Sequence, residues 1–199
     1  MFVLNQRLKA VMETEQVAIQ KMEDGTNGQY DEIVKLLFEC RGKIVFMGIG
    51  KSGHIGKKLA ATFSSTGTPS FFVHSAEAFH GDFGMIEKED IVILISNSGN
   101  TKEVTQNIPF LKKIGCSTIA FTAEAESELA KNCDFALLFP KLPEADDLNL
   151  APTVSSTLTL VLGDAIACTL SSMKNFNRED FYKFHPGGAL GESLSKETE

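Results

Sequence analysis

The stretch Asp90-Ile-Val-Ile-Leu-Ile-Ser-Asn-Ser-Gly-Asn-Thr101 decides the fold. Its five successive apolar residues, Ile91 to Ile95, read as a strand covered on both faces rather than on one. Ser96, Asn97, Ser98 and Gly99 then turn the chain into a segment that reads as a helix from Thr101 to Ile114. The same turn suggests a ligand. Gly99 permits a tight reversal, and the first N–H groups of the helix face outward at the positive end of its dipole. The hydroxyls of Ser96, Ser98 and Thr101 add neutral donors, so the turn forms a phosphate cradle that needs no arginine cluster.

Working outward, the alternation of strand and helix repeats. Lys43–Met47 reads as a strand, residues 52–65 as a helix and Ser70–Val73 as a short strand after the turn Gly67-Thr-Pro69. Ser117–Phe121, a short helix over 127–131 and Phe135–Phe139 complete the series, and Thr153–Met173 is a long apolar helix. The strands are nearly continuous apolar runs. That pattern predicts a doubly wound α/β three-layer sandwich around a five-stranded parallel sheet. Residues 2–23 and 30–40 carry helical periodicity, broken at Asp24-Gly-Thr-Asn-Gly28. Residues 1–42 are therefore expected to form a helical N-terminal extension, and 43–199 the ligand-binding domain. In such sheets ligands bind beyond the carboxyl ends of the strands.

Composition narrows the function. A net charge of −7 argues against a nucleic-acid partner, which needs a basic face to displace counterions. No apolar run is expected to reach the length of a membrane span, and Met1–Lys9 lacks the pattern of a signal peptide. The cytoplasm is the expected compartment, with Cys40, Cys116, Cys133 and Cys168 as small buried thiols. The four histidines and four cysteines show no metal-ligand spacing.

A second glycine loop, Gly48-Ile-Gly50-Lys51-Ser52-Gly53, follows the first strand. It satisfies the GxGxxG pattern of dinucleotide sites, and Glu77 after the next strand imitates their ribose-binding acid. A dinucleotide does not explain the cradle at 96–101, however. Gly50-Lys51-Ser52 also imitates the end of a Walker A loop, but Val45 stands where that motif needs glycine. A lysine at the carboxyl end of a strand is well placed to meet an oxyanion; the bland alternative is a tight turn with a solvated lysine.

Gly48-Ile-Gly-Lys-Ser-Gly-His-Ile-Gly56, Ser65-Thr-Gly-Thr-Pro69, Ser96-Asn-Ser-Gly99, Ala151-Pro-Thr153 and His185-Pro-Gly-Gly-Ala-Leu-Gly191 occur in this order. Together they resemble the sugar isomerase (SIS) domain of D-arabinose 5-phosphate isomerases, over about residues 43–194. The resemblance implies interconversion of D-ribulose 5-phosphate and D-arabinose 5-phosphate, and usually a homotetramer. The apolar stripe of the long N-terminal helix and a shallow site at the strand ends add the expectation that sites lie near subunit interfaces, with His185 contributed across one. Many members carry a pair of CBS domains after the His-Pro-Gly-Gly segment; these 199 residues hold none, which implies a form without that regulation. Asn100-Thr-Lys-Glu103 departs from the more acidic, serine-rich sequence of the best-known members, although Glu103 is in place.

An aldose–ketose isomerase moves a proton between C1 and C2 and stabilises an enediolate, with no metal or redox cofactor required. Ser52, Ser96, Ser98, Gly99 and Thr101 would hold the phosphate, Gly50, Ser155, Ser156 and Thr157 the rest of the sugar, and Lys51 the enediolate oxygen. By resemblance, Glu103 and Glu144 supply carboxylates, while His80 and His185 supply imidazoles, the side chain suited to proton transfer near neutral pH. His185 or Glu144 is expected to transfer the proton, with His80 assisting ring opening. Each has a plainer explanation. Glu103 sits where an acid complements a helix dipole, Glu144 lies in an acidic surface loop, and Ser155–Thr157 could simply open a helix. His54 and His74 have no distinct task, and Asp164 reads as a carboxylate with a structural partner. Two other functions compete: isomerisation of a different phosphosugar, and a non-catalytic sensor that binds a sugar phosphate.

Overall fold

The computed structural model describes residues 2–187. Five parallel strands, β1 (Ile44–Gly48), β2 (Ser70–His74), β3 (Ile91–Ile95), β4 (Ser117–Thr122) and β5 (Phe135–Leu138), form one sheet in the order β2-β1-β3-β4-β5. Ile44 stands opposite Ser70 on one side and Ile91 on the other, so β1 is interior. The chain winds outward from β1 to β2, then crosses back to β3 and continues the other way. The carboxyl ends of β1 and β3 therefore flank the switch point of the topology, where a crevice opens.

Alternate residues of each strand enter two cores. Phe46, Ile93, Ile95, Ile119 and Phe121 pack beneath α1 (Phe2–Asp24), α2 (Gly28–Phe38), α3 (Gly50–Ser65) and α7 (Val154–Met173). Val45, Met47, Val92, Leu94 and Ala120 face α4 (Lys102–Thr105), α5 (Ile108–Ile114), α6 (Glu128–Asn132) and the 3-10 turns Glu77–His80 and Asp82–Met85. This explains the unbroken apolar runs of β1 and β3, whose residues are buried on both faces, while the edge strands β2 and β5 stay partly exposed. α1 and α2 contribute Ala18, Met22, Ile33 and Leu37 to the first core, and the Tyr30 hydroxyl donates to Leu138 O at 2.7 Å.

Several expectations need correction. The helix read over 101–114 is two helices, because Pro109 opens α5 and cannot continue the backbone ladder of α4. Asn107 fills the break, its Nδ2 donating to Glu103 O and Val104 O. A further helix, α8 (Arg178–Phe184), starts in a capping box between Asn177 and Asp180. α7 does reach the length and hydropathy of a membrane span; half of that window is buried inside the domain. Cys116 is buried and Cys40 and Cys133 half-buried, but Cys168 is exposed on α7. Burial pushes the thiols of Cys116 and Cys133 up to about 11 and about 12. Asp164 does find a partner, Lys58 of α3.

Candidate active site

Both glycine loops emerge at the switch point. Gly50, at φ +53°, opens α3, placing Lys51 and Ser52 on the wall of a cleft of about 300 Å³. Asn97 reaches that cleft from the cradle, and Glu144, Ser155 and Ser156 line it from the segment that leads into α7.

The cradle is tied together by its own hydrogen bonds. Ser96 is 2 % exposed; its hydroxyl bonds that of Thr101 at 2.8 Å and accepts from Gly99 N at 3.1 Å. Ser98 is exposed. Gly99 has φ +62°, and a Cβ there would lie 2.1 Å from Ser127 Oγ. Only glycine fits. Ser127 itself caps α6 by accepting from Ala130 N, and Gly99 O in turn accepts from Leu129 N at 2.9 Å. The loop after β4 thus braces the cradle from behind.

Glu144 is a helix cap as well as a cleft residue. Its Oε2 accepts from Thr153 N at 2.8 Å, Thr153 Oγ1 at 3.0 Å and Ser155 N at 3.2 Å. The two N–H groups are orphan donors at the start of α7. Burial works to raise its pKa, but the hydrogen bonds from Ser155 and Thr153 outweigh it, and the carboxyl is held below its ordinary value. Ser156 turns its hydroxyl back to Pro152 O and Thr153 O, while Thr157 leaves the cleft and donates to Glu15 of α1 at 3.2 Å.

The remaining candidates are dispersed. Glu103 is exposed in the first turn of α4. His80 is exposed at the end of a 3-10 turn beyond β2, on the side of the sheet that faces α5. Neither lines the cleft. His185 lies further off, against Ser64, Ser65 and Pro69 at the opposite edge of the sheet. Its ring stacks on Phe181 at 3.9 Å, and its Nδ1 is 3.0 Å from Phe181 O. The whole length of α3, roughly 24 Å for a helix of this size, separates it from Lys51. Residues 188–191 of its motif lie outside the described residues.

Lys141, Asn97 and Asn149 also line the cleft and were not expected there. For Lys141 a signal existed: it follows β5 as Lys51 follows β1, at the carboxyl end of a strand. Among the described residues, no three histidine, cysteine, aspartate or glutamate side chains are grouped to hold a metal ion.

Comparison with known proteins fits this geometry. The SIS domain family matches residues 36–169. The chain belongs to that family. Arabinose 5-phosphate isomerase KdsD of Escherichia coli K12 is 48% identical over 193 residues, covering 97% of this chain and 59% of the relative. KpsF of Escherichia coli is 49% identical over 168 residues, covering 84% and 53%. This SIS chain thus spans about three-fifths or less of the length of these curated relatives. Among solved structures, Escherichia coli CFT073 c3406, in complex with arabinose 5-phosphate, superposes with a TM-score of 0.91 at 50% identity, covering 93% of this chain and 98% of that one.

Proposed function

We propose that this chain is an aldose–ketose isomerase that interconverts D-ribulose 5-phosphate and D-arabinose 5-phosphate through an enediolate. The observation that carries the reading is the agreement of two things. A lysine-bearing cleft lies beside a hydroxyl cradle at the switch point, and a structure solved with arabinose 5-phosphate matches nearly its whole length at 50% identity. The cradle of Ser96, Ser98, Gly99 and Thr101, with Ser52, holds the phosphate, and this remote grip fixes the reacting carbons. Gly50, Ser155 and Ser156 contact the sugar; Thr157, turned towards Glu15, supports α1 instead. Lys51 stabilises the oxygen that becomes negative in the enediolate.

The proton steps divide by chemistry. A carboxylate already accepting three hydrogen bonds is stabilised in its charged form, which suits Glu144 to orienting the sugar rather than shuttling a proton. Proton transfer between C1 and C2 then falls to an imidazole. His185 stands too far from Lys51 within one subunit, so it serves the cleft of a neighbouring copy, and His80 and Glu103 act from the rim. Oligomerisation has its own support. Leu4, Leu8 and Met12 are 69%, 58% and 67% exposed at helical spacing on α1, an apolar stripe with no cover in one chain. A homotetramer with sites near its interfaces is the proposed assembly. Four free thiols fit a cytoplasmic setting.

The test is incubation of purified protein with D-ribulose 5-phosphate and a chelator, following D-arabinose 5-phosphate by proton NMR. Conversion that Lys51→Ala abolishes in a folded protein supports the isomerase. Saturable binding without conversion supports a sensor, and neither binding nor turnover overturns the pentose assignment.

A further inference from the structure

Beside the cradle, the cleft carries an ion pair that the reaction as described leaves unused. Lys141 Nζ donates to Glu124 Oε2 at 2.8 Å. Glu124 stands on the loop that braces the cradle. Its N–H donates to Thr122 Oγ1, its carbonyl accepts from Ser127 Oγ, and the two residues before it both donate to Asn97 O. The carboxylate is therefore fixed through its backbone. Lys141 follows Pro140 at the end of β5, and its side chain is 74% exposed and free to swing. The ammonium is thus held at the cleft wall by one partner, next to the segment that grips Asn97.

Charge gives this pair a purpose. Among the described residues that line the cleft, the ionised groups are Lys51, Lys141 and Glu144. Lys51 and Glu144 cancel, and the cradle supplies only neutral hydroxyls and N–H groups. A phosphate monoester brings a charge approaching −2. Without Lys141 the wall offers such a ligand no net positive charge, in a protein whose overall charge is −7.

We infer that Lys141 is a phosphate-binding residue that Glu124 parks at the cleft and releases to the incoming sugar phosphate. The dianion outcompetes a single carboxylate for the ammonium, so Glu124 keeps the side chain in place while the cleft is empty and competes weakly once it is filled. The inference takes phosphate as the anion from the reading above and concerns affinity rather than the chemical step.

The two partners give opposite signs, which separates this role from a structural brace. Inorganic phosphate is titrated calorimetrically into the wild-type chain, Lys141→Gln and Glu124→Gln, with thermal melts to confirm folding. Lys141→Gln weakens phosphate about tenfold, and Glu124→Gln, which frees the lysine, tightens it about threefold. With pentose phosphate as substrate, kcat/KM falls in Lys141→Gln and rises in Glu124→Gln, following the phosphate affinities. Equal losses from both variants, an unchanged affinity in Lys141→Gln, or no phosphate binding by the wild type overturns the inference. Opposed phosphate affinities without pentose turnover keep Lys141 and sink the isomerase. Turnover with an affinity indifferent to both variants does the reverse.

Discussion

The two edges of the sheet use the same chemistry for opposite ends. At the amino edge, Asp90 is 1 % exposed and fully engaged: it accepts from Lys43 N at 2.7 Å and Glu87 N at 2.9 Å. Asp134 likewise takes both the N–H and the hydroxyl of Thr118. Those carboxylates tie strand starts together. At the carboxyl edge, Ser98 and Lys51 are exposed, and Asn97, within the cradle segment, lines the cleft beside Lys51 and Ser52. A fold can place stability at one end of its strands and binding at the other, because a parallel sheet sends every strand end of one kind to the same edge.

Substitutions test how cleanly those duties are separated. Lys51→Ala should cost the most, about 10³-fold in kcat/KM with an unchanged melting temperature, since in the proposed mechanism it removes the charge that stabilises the enediolate. Asp90→Ala should do the reverse. It leaves two N–H groups at the sheet edge without their acceptor, which lowers stability by about 3 kcal/mol in urea unfolding, while the folded fraction keeps its kcat. If Asp90→Ala also abolishes turnover at low denaturant, the edges are coupled and the comparison breaks. Gly99→Ala lies between the two roles. Its Cβ would overlap Ser127 in a backbone region that alanine avoids, so phosphate affinity should fall about tenfold with a smaller loss of stability. The double change Gly99→Ala with Ser127→Gly should recover part of that affinity by removing the overlap.

The smallest effect concerns acid. Glu144 has a folded-state pKa below its ordinary 4.5, so it stabilises the fold above that pH and loses this contribution as pH falls through the lowered value. Unfolding midpoints measured between about pH 6 and 3 should therefore drop less steeply in Glu144→Gln than in the wild type. An identical slope in both proteins would show that the cap contributes nothing at the carboxyl edge.

Much of this was legible in the sequence, for reasons that are local. Ile91–Ile95 had to be a doubly covered strand because its periodicity left no polar face, and Gly99 marked the tight turn that follows it. The first glycine loop drew attention to Lys51, and the family resemblance to Glu144, and the structure places both on one cleft. What stayed hidden was non-local or rested on one residue. The Glu144 cap bridges nine residues to Thr153, and no helix-start rule looks that far back. His185 stood in a motif with the other candidates, yet sequence order says nothing of the edge of the sheet on which a residue emerges. Pro109 and the Asn177–Asp180 box were both readable signals, one for the break before α5 and one for α8. Lys141 obeyed the rule that singled out Lys51, but without a glycine loop to draw attention to it.

The sheet's connectivity also sets a timetable. Ile44 pairs with Ser70 and with Ile91, partners 26 and 47 residues further along the chain. No neighbouring hairpin can shelter β1 meanwhile, since every pairing in the sheet is parallel. During synthesis the strand Ile44–Gly48 must wait for β3 before its two edges are both satisfied, several seconds at ordinary translation speeds of about 5–20 residues per second. Chain closure over such separations makes folding slow. In the interval before β3 emerges, β1 offers an unpaired apolar edge, and a chaperone that covers it would have work to do.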